Sequence, residues 1–527
     1  MIYVVGSGPA GVACASALVK KGLPVRMLDA GLELETERAQ VVQELRSARP
    51  ENWDLASVDL IKDNMAVRGR NLPTKCIYGS DFPYRDIDKH IPIEAKRADA
   101  SPSLAKGGFS NVWGAGVSPY VDEDIADWPI SVADLATHYE AVLSLMHLSA
   151  VKDDLESVQP LSSAATYALR PSKQAVAFID DLQRSKEGLK ACGFSFGYSR
   201  LAVRAHATHE GAGCVYCGLC LYGCPYGLIY NSAATLAQLQ QRENFNYLKD
   251  VIVEKLVEAS DNVTIHARSR LTGERLSFAA ARVCLASGVV STTKILLESL
   301  EAYDQPVAMK DSQYFIFPLL RYHKVANVTT EELHTLSQVF LRLVDPELSE
   351  NGIHFSVYTY NDLVKSAIKR ILGPTYTLLQ WPIHELLGRL MVIQAYLHSN
   401  LSATIVMTLR KGRDGSVGKL ILEGRLNEHT RRVIKKVVAK MYANRAHFKA
   451  VPLPLSSYIA APGRGFHSGG TFPMRKQPSR FESDCLGRPH GLQKVHAVDA
   501  TVFGSIPSGP ITLSIMANAH RIASALD

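Results

Sequence analysis

The chain opens on the apolar run Ile2-Tyr-Val-Val5, passes through Gly6-Ser-Gly8-Pro-Ala-Gly11, and continues into an apolar-periodic stretch from Val12 to Lys20. That order predicts a buried strand, a tight turn and a helix. A second apolar run, Pro24 to Leu28, ends at Asp29. Residues 33 to 100 are polar and irregular, with Arg68 to Pro73 the densest loop signal. A helix is expected to start after Asp127-Trp-Pro and run through Met146, with Ser131 as its N-cap. Further on, Ser232 to Arg242 reads as a helix, and Val251 to Val257, Asn262 to His266 and the run Arg282 to Gly288 read as sheet elements.

Between 305 and 455 the β-type runs Val339 to Val344, His354 to Tyr360 and Ala403 to Leu409 predict a second sheet. The stretch from Leu363 to Leu397 is apolar and aromatic, with Lys365, Lys369 and Arg370 to one side. It fits either a pair of helices covering a site or an amphipathic face in peripheral contact with a membrane. Arg431 to Lys440 predicts a surface helix that buries Val433, Ile434, Val437 and Val438.

With 527 residues, 46% of them hydrophobic, the chain can bury a large core and divides into two or more domains. A net charge of +7 is mild over that length and is not gathered into a dense basic tract, so no nucleic-acid partner is expected. Ile2 to Val5 leave no room for a charged and then apolar leader, and no apolar run is long enough to span a bilayer, so a cytoplasmic location is expected.

Three stretches carry chemistry. Gly6, Gly8 and Gly11 lie between a strand and a helix, where glycines let backbone approach a pyrophosphate and the helix end offers unpaired N–H groups. Asp29, at the tip of the second strand, is placed to accept from an adenosine ribose, although the pattern does not separate FAD from NAD. A second glycine-rich loop, Lys106 to Gly116, includes Gly107, Gly108, Ser110 and Asn111, which could lie along a flat ring and bond its edges; a plain tight loop is the alternative. Third, Cys214, Cys217, Cys220 and Cys224 with Pro225 match the C-x2-C-x2-C-x3-C-P spacing of iron–sulfur loops. A disulfide or redox pair, zinc, and free thiols are the competing readings.

The Gly6 turn, the Gly107 to Gly116 loop and Ala126-Asp-Trp-Pro, together with Phe466-His467-Ser-Gly-Gly-Thr471, Val498-Asp499-Ala-Thr-Val-Phe503 and Thr512 to Ala517, resemble the glucose-methanol-choline flavoprotein oxidoreductases. The resemblance implies an α/β (α+β) fold. Its parts are a Rossmann-like FAD-binding domain assembled from discontinuous segments (1–304 and 456–527) and an antiparallel-sheet substrate domain with covering helices (305–455). It implies FAD, with Val253 and Asp499 joining the glycines and Asp29 in holding it, and an alcohol substrate, for which a sugar or sugar-like alcohol, free or linked to a glycan or lipid, is the expectation. His467 becomes the expected base for the hydroxyl proton.

Relatives supply a second His or Asn after the Asp motif, where this chain has Ser505 to Thr512 without an imidazole or amide. Ser508, Thr512 or His398 are the candidate substitutes, while His490, His496 and His520 read as structural. The Cys loop also resembles the cluster segment of FAD-dependent sugar dehydrogenases, which implies a 4Fe–4S or 3Fe–4S cluster passing electrons to an acceptor protein or quinone. An oxidase with a structural Cys loop and a non-catalytic flavoprotein subunit are the rivals.

Overall fold

Ile2–Val5 is the central strand of a five-stranded parallel sheet ordered Val495–Ala497, Arg282–Leu285, Ile2–Val5, Val25–Leu28, Phe245–Leu248. The structure, a computed structural model, describes residues 1–63, 75–163, 167–208, 211–412, 417–453 and 457–527. All residues of Ile2–Val5 are buried, as expected of a parallel strand covered on both faces, which is why it reads as continuous apolar sequence rather than as alternation. Helix Pro9–Lys20 leaves the glycine turn and packs against the C-terminal helix Thr512–Ser524. Buried Ala10, Ala13, Ala17, Ala517 and Ala519 are small enough to let the two helices approach closely. One sheet thus unites the two ends of the chain. An antiparallel meander, Val251–Glu258, Val263–Ser269 and Arg275–Ala280, flanks it.

The second large sheet is antiparallel throughout, ordered Ala450–Pro452, Tyr314–Arg321, Leu390–Tyr396, Ser349–Tyr358, Val339–Asp345, Phe194–Tyr198, with Tyr458–Ile459 also on Tyr314–Arg321. Its strands alternate. Phe315, Phe317, Ile353, Phe355, Val357, Met391, Ile393 and Ala395 point to one face and build a core with helices Lys173–Arg184 and Thr430–Ala443. Residues 173–198 therefore pack with this second core. Helix Thr430–Ala443 buries Val433, Ile434, Val437 and Val438 as the pattern predicts, and Met441 in addition.

A third sheet, Ser468–Gly469, Pro306–Asp311, Thr404–Arg410, Lys419–Arg425 and Ile93–Lys96, ties the two units together. The β run at 404 therefore belongs to a different sheet from the runs at 339 and 354.

One local expectation needs correction. The helix expected through Met146 is a 3-10 turn, Ala133–Leu135, followed by helix Ala136–Leu143. Ser131 caps that turn as expected: its hydroxyl accepts from the Asp134 N–H at 3.4 Å, while the Asp134 carboxylate accepts from the Ser131 N–H and hydroxyl, each at 2.8 Å, the reciprocal pairing of a capping box. The Arg68 to Pro73 loop and the boundary placed at 455 fall outside the described residues. Among the described residues no helix is long and apolar enough to cross a membrane.

Candidate active site

The three glycines of the opening turn have three different physical reasons. Gly6 has φ +101° and an added Cβ would lie 2.7 Å from the Ala286 carbonyl oxygen, so only glycine fits. A Cβ on Gly11 would sit 1.9 Å from the Gly6 carbonyl oxygen, so Gly11 lets the helix start against the turn. Gly8 is in ordinary extended backbone, and its missing Cβ faces open space with nothing within 4 Å. The vacant side of Gly8 faces a cavity of about 600 Å³ lined also by Asp29, Val253, Asp499 and Thr512.

Asp29 is buried and holds three donors, the Ser7 hydroxyl at 2.5 Å, the Ser7 N–H at 3.3 Å and the Tyr247 hydroxyl at 3.0 Å. Burial pushes its pKa up to about 6, against those hydrogen bonds. Asp499 is tied into the fold, accepting from Gly288 N (2.9 Å), Thr292 Oγ1 (2.6 Å) and Thr501 N (2.9 Å), so it fixes the start of helix Val289–Ser299 beside the cavity.

The second glycine loop divides. Gly108 and Ser110 line the cavity, whereas Gly107 and Asn111 do not. Gly107 has φ +83° and accepts from the Ser110 hydroxyl at 2.6 Å, and the Asn111 amide donates to Lys106 and Gly108 carbonyls while accepting from Asn231 at 2.7 Å. These two residues hold the loop's shape.

His467 reaches the cavity from the strand pair that joins the third sheet. Ser468 donates to Asp311 at 2.8 Å, Ser312 N–H donates to the His467 carbonyl at 2.8 Å, and Phe466, at φ 53°, turns the chain while packing on Phe109 at 4.5 Å between centroids. A bulky residue in the left-handed region is strained, and here the strain aims the next side chain. The imidazole stacks on Tyr396 at 4.7 Å and 19°. Its Nδ1 is walled in without a partner, which leaves Nε2 as the nitrogen a ligand can meet. Burial holds its pKa down at about 4, so the ring is neutral at ordinary pH.

The candidate substitutes for a second catalytic group separate. Thr512 lines the cavity at the start of the C-terminal helix. Ser508 does not line it: its hydroxyl is buried and donates to the Gly352 carbonyl at 2.6 Å. His398 is likewise off the cavity lining, with Nδ1 accepting from Asn400 N–H at 3.2 Å.

Residues that the motifs do not reveal complete the site. Gln394 and the hydroxyl-bearing rings of Tyr314, Tyr358 and Tyr396 line the cavity from the antiparallel sheet. They lie on the face opposite its apolar core, and Tyr314 and Tyr396 are register partners. The signal was the strict alternation in His354-Phe-Ser-Val-Tyr358, whose polar members share a face. Behind Tyr396, His354 is fully engaged with Gln159 (3.3 Å) and Ser356 (3.2 Å), and burial, then Arg342 and His467, push its pKa down to about 3. Lys75 also reaches the cavity, with its amine on the Trp113 carbonyl at 2.9 Å and its pKa lowered by burial to about 8.

The Cys loop forms the neighbouring wall through Leu221. Cys214, Cys217, Cys220 and Cys224 are all half-buried free thiols. Burial, and then the nearby charge of Cys220, push Cys214 and Cys217 up to about 12 and raise Cys224. The Cys224 sulfur also accepts from Leu228 N–H at 3.4 Å. The donor chemistry suits iron, yet among the described residues no group of three or more His, Cys, Asp or Glu side chains is arranged to hold a metal ion. The loop does not present a ready ligand set.

No family model matches the chain, and no curated protein matches it in sequence. Among solved structures it is similar to pyridoxine 4-oxidase from Mesorbium loti, at 14% identity and a TM-score of 0.59, over 99% of this chain and 98% of that one. The likeness shows a shared fold from end to end.

Proposed function

We propose that the chain is an FAD-dependent oxidoreductase of the glucose-methanol-choline type that oxidises an alcohol. The observation that carries this reading is that one cavity holds both a dinucleotide cradle, with Gly8 open and Asp29 at its rim, and a neutral imidazole with a nitrogen to offer. The residues fit the cofactor: Gly6, Gly8 and the start of helix Pro9–Lys20 would take the pyrophosphate, Asp29 the ribose, Val253 the adenine side, and Gly108, Ser110 and Thr512 the ring system. When bound, FAD supplies a hydride acceptor.

The chain's own residues do the rest. His467 Nε2 takes the hydroxyl proton, which makes the carbinol hydrogen easier to lose as hydride, and Tyr396 stacked against the ring fixes its orientation. Gln394 and Tyr358 are placed to bond further hydroxyls, which suits a sugar or sugar-like alcohol, free or linked to a glycan or lipid. Ser508 is not assigned a catalytic role, and Thr512 remains a cavity group for FAD or the alcohol.

Two exits for the electrons divide this reading. The C-x2-C-x2-C-x3-C-P spacing of Cys214, Cys217, Cys220 and Cys224, all half-buried free thiols on one loop, supports a cluster and an acceptor protein or quinone. The absence of a metal-holding group among the described residues supports an oxidase with a structural Cys loop, and the structurally similar protein is itself named an oxidase. Purification under argon, followed by flavin titration and iron and sulfide assays on one sample, tests both. Flavin bands with bound iron support the dehydrogenase, flavin bands without iron and with peroxide formed on turnover support the oxidase, and no flavin uptake refutes the proposal.

A further inference from the structure

Helix Asp362–Leu372 is amphipathic, but its apolar arc is wider than the protein covers. Val364, Ile368 and Leu372 turn inward onto Tyr360, Ile383 and Leu387. On the adjoining part of the arc Leu363 is 36% exposed and Ile371 80% exposed, the connection that follows adds Leu378 at 85%, and the first turn of helix Gln380–Leu387 adds Trp381 at 76%. No residue of helix Asp362–Leu372 is fully buried. Large apolar side chains bared together in this way mark a surface that meets something.

The polar arc of the same helix carries Lys365, Lys369 and Arg370, none with an ion-pair partner among the described residues; the helix's one acidic group, Asp362, is paired with Lys62 at 2.8 Å. Cations beside protruding leucine, isoleucine and tryptophan complement a surface that is anionic at its face and apolar just beneath it. Leu363 belongs to both places, being on this helix and in the wall of the cavity.

We propose that helix Asp362–Leu372 and the turn through Trp381 dock the protein on an anionic lipid bilayer, with the cavity mouth at Leu363 facing the lipid. Ile371, Leu378 and Trp381 enter the headgroup boundary, and Lys365, Lys369 and Arg370 meet lipid phosphates. The docking surface does not depend on the flavin reading.

The test is flotation of the full-length protein with vesicles of phosphatidylcholine alone and of phosphatidylcholine with phosphatidylglycerol, with the mass in solution measured by light scattering. Wild type is expected to float with the anionic vesicles and to release at high salt. The triple change Lys365→Glu, Lys369→Glu, Arg370→Glu should weaken partitioning by at least about a hundredfold, at roughly fivefold per cation. Ile371→Asp with Leu378→Asp should abolish it, with flavin content and thermal midpoint unchanged because both side chains are largely solvated already. Trp381 emission should shift to the blue on binding. Failure of wild type to float at low salt, flotation unchanged in the Asp variant, or a dimer that the Asp variant splits without any vesicle binding would each overturn the proposal.

Discussion

Gly8→Ala separates ligand binding from folding. Gly8 has φ −64° and ψ 178°, a conformation alanine adopts freely, and its Cβ would meet nothing within 4 Å. The apo protein should therefore keep its stability or gain about 0.4–1 kcal/mol from the stiffer unfolded chain. The added methyl occupies the space in which the backbone is expected to approach the pyrophosphate. Displacing that contact should weaken FAD binding by about tenfold to a hundredfold, or about 1.4–2.8 kcal/mol. Gly11→Ala is the contrast. Its Cβ would overlap the Gly6 carbonyl at 1.9 Å, so the turn itself must shift and the apo protein should lose stability as well. The assay is quenching of flavin fluorescence on titration of apoprotein, beside thermal unfolding of each variant without ligand. A stable Gly8→Ala protein that takes up FAD as tightly as wild type would refute the cradle.

The pKa of His467, about 4, carries a sign: the neutral ring is the base, so flavin reduction by alcohol should be flat above about pH 5 and fall close to tenfold per unit below pH 4, as read by anaerobic stopped flow. Ser508→Ala should leave that rate within about twofold and cost stability of about 1 kcal/mol in denaturant titration, because its hydroxyl bonds Gly352 instead of lining the cavity. Arg342 and Asp124, each 4% exposed and 2.7 Å apart, are a buried pair joining the antiparallel sheet to the loop at 122–124. Arg342→Met should cost about 3–5 kcal/mol by stranding the carboxylate, and Asp124→Leu in the same chain should restore most of it; equal stability of single and double variants would contradict this.

What the sequence discloses follows from how local each cause is. Although Gly6 itself answers to Ala286 far along the chain, the glycine turn was legible because Gly11 answers to the Gly6 carbonyl within the same turn, between a strand and a helix readable on either side. The parallel core was legible in Ile2 to Val5 for the same reason. Tyr396, Gln394 and Lys75 were not, since each reaches the cavity through pairings or loops far along the chain, although the alternation from His354 to Tyr358 was a readable sign of a sheet with one polar face. Ser508 misled because a hydroxyl in a motif position looks available until Gly352, distant in sequence, is seen to take it. Ser131 was legible because its capping partner, Asp134, is only three residues on. The Cys spacing was visible from the outset, because four thiols and Pro225 fall within one short loop.

The most direct test of the account is anaerobic bleaching of the bound flavin by a panel of alcohols, followed in wild type and in His467→Ala. The account predicts that at least one alcohol bleaches wild type, and that His467→Ala retains its flavin bands while the bleaching rate falls by about a hundredfold to ten-thousandfold, the span that a general base contributes. Bleaching of His467→Ala at the wild-type rate, or a wild-type flavin that no alcohol reduces, would contradict it.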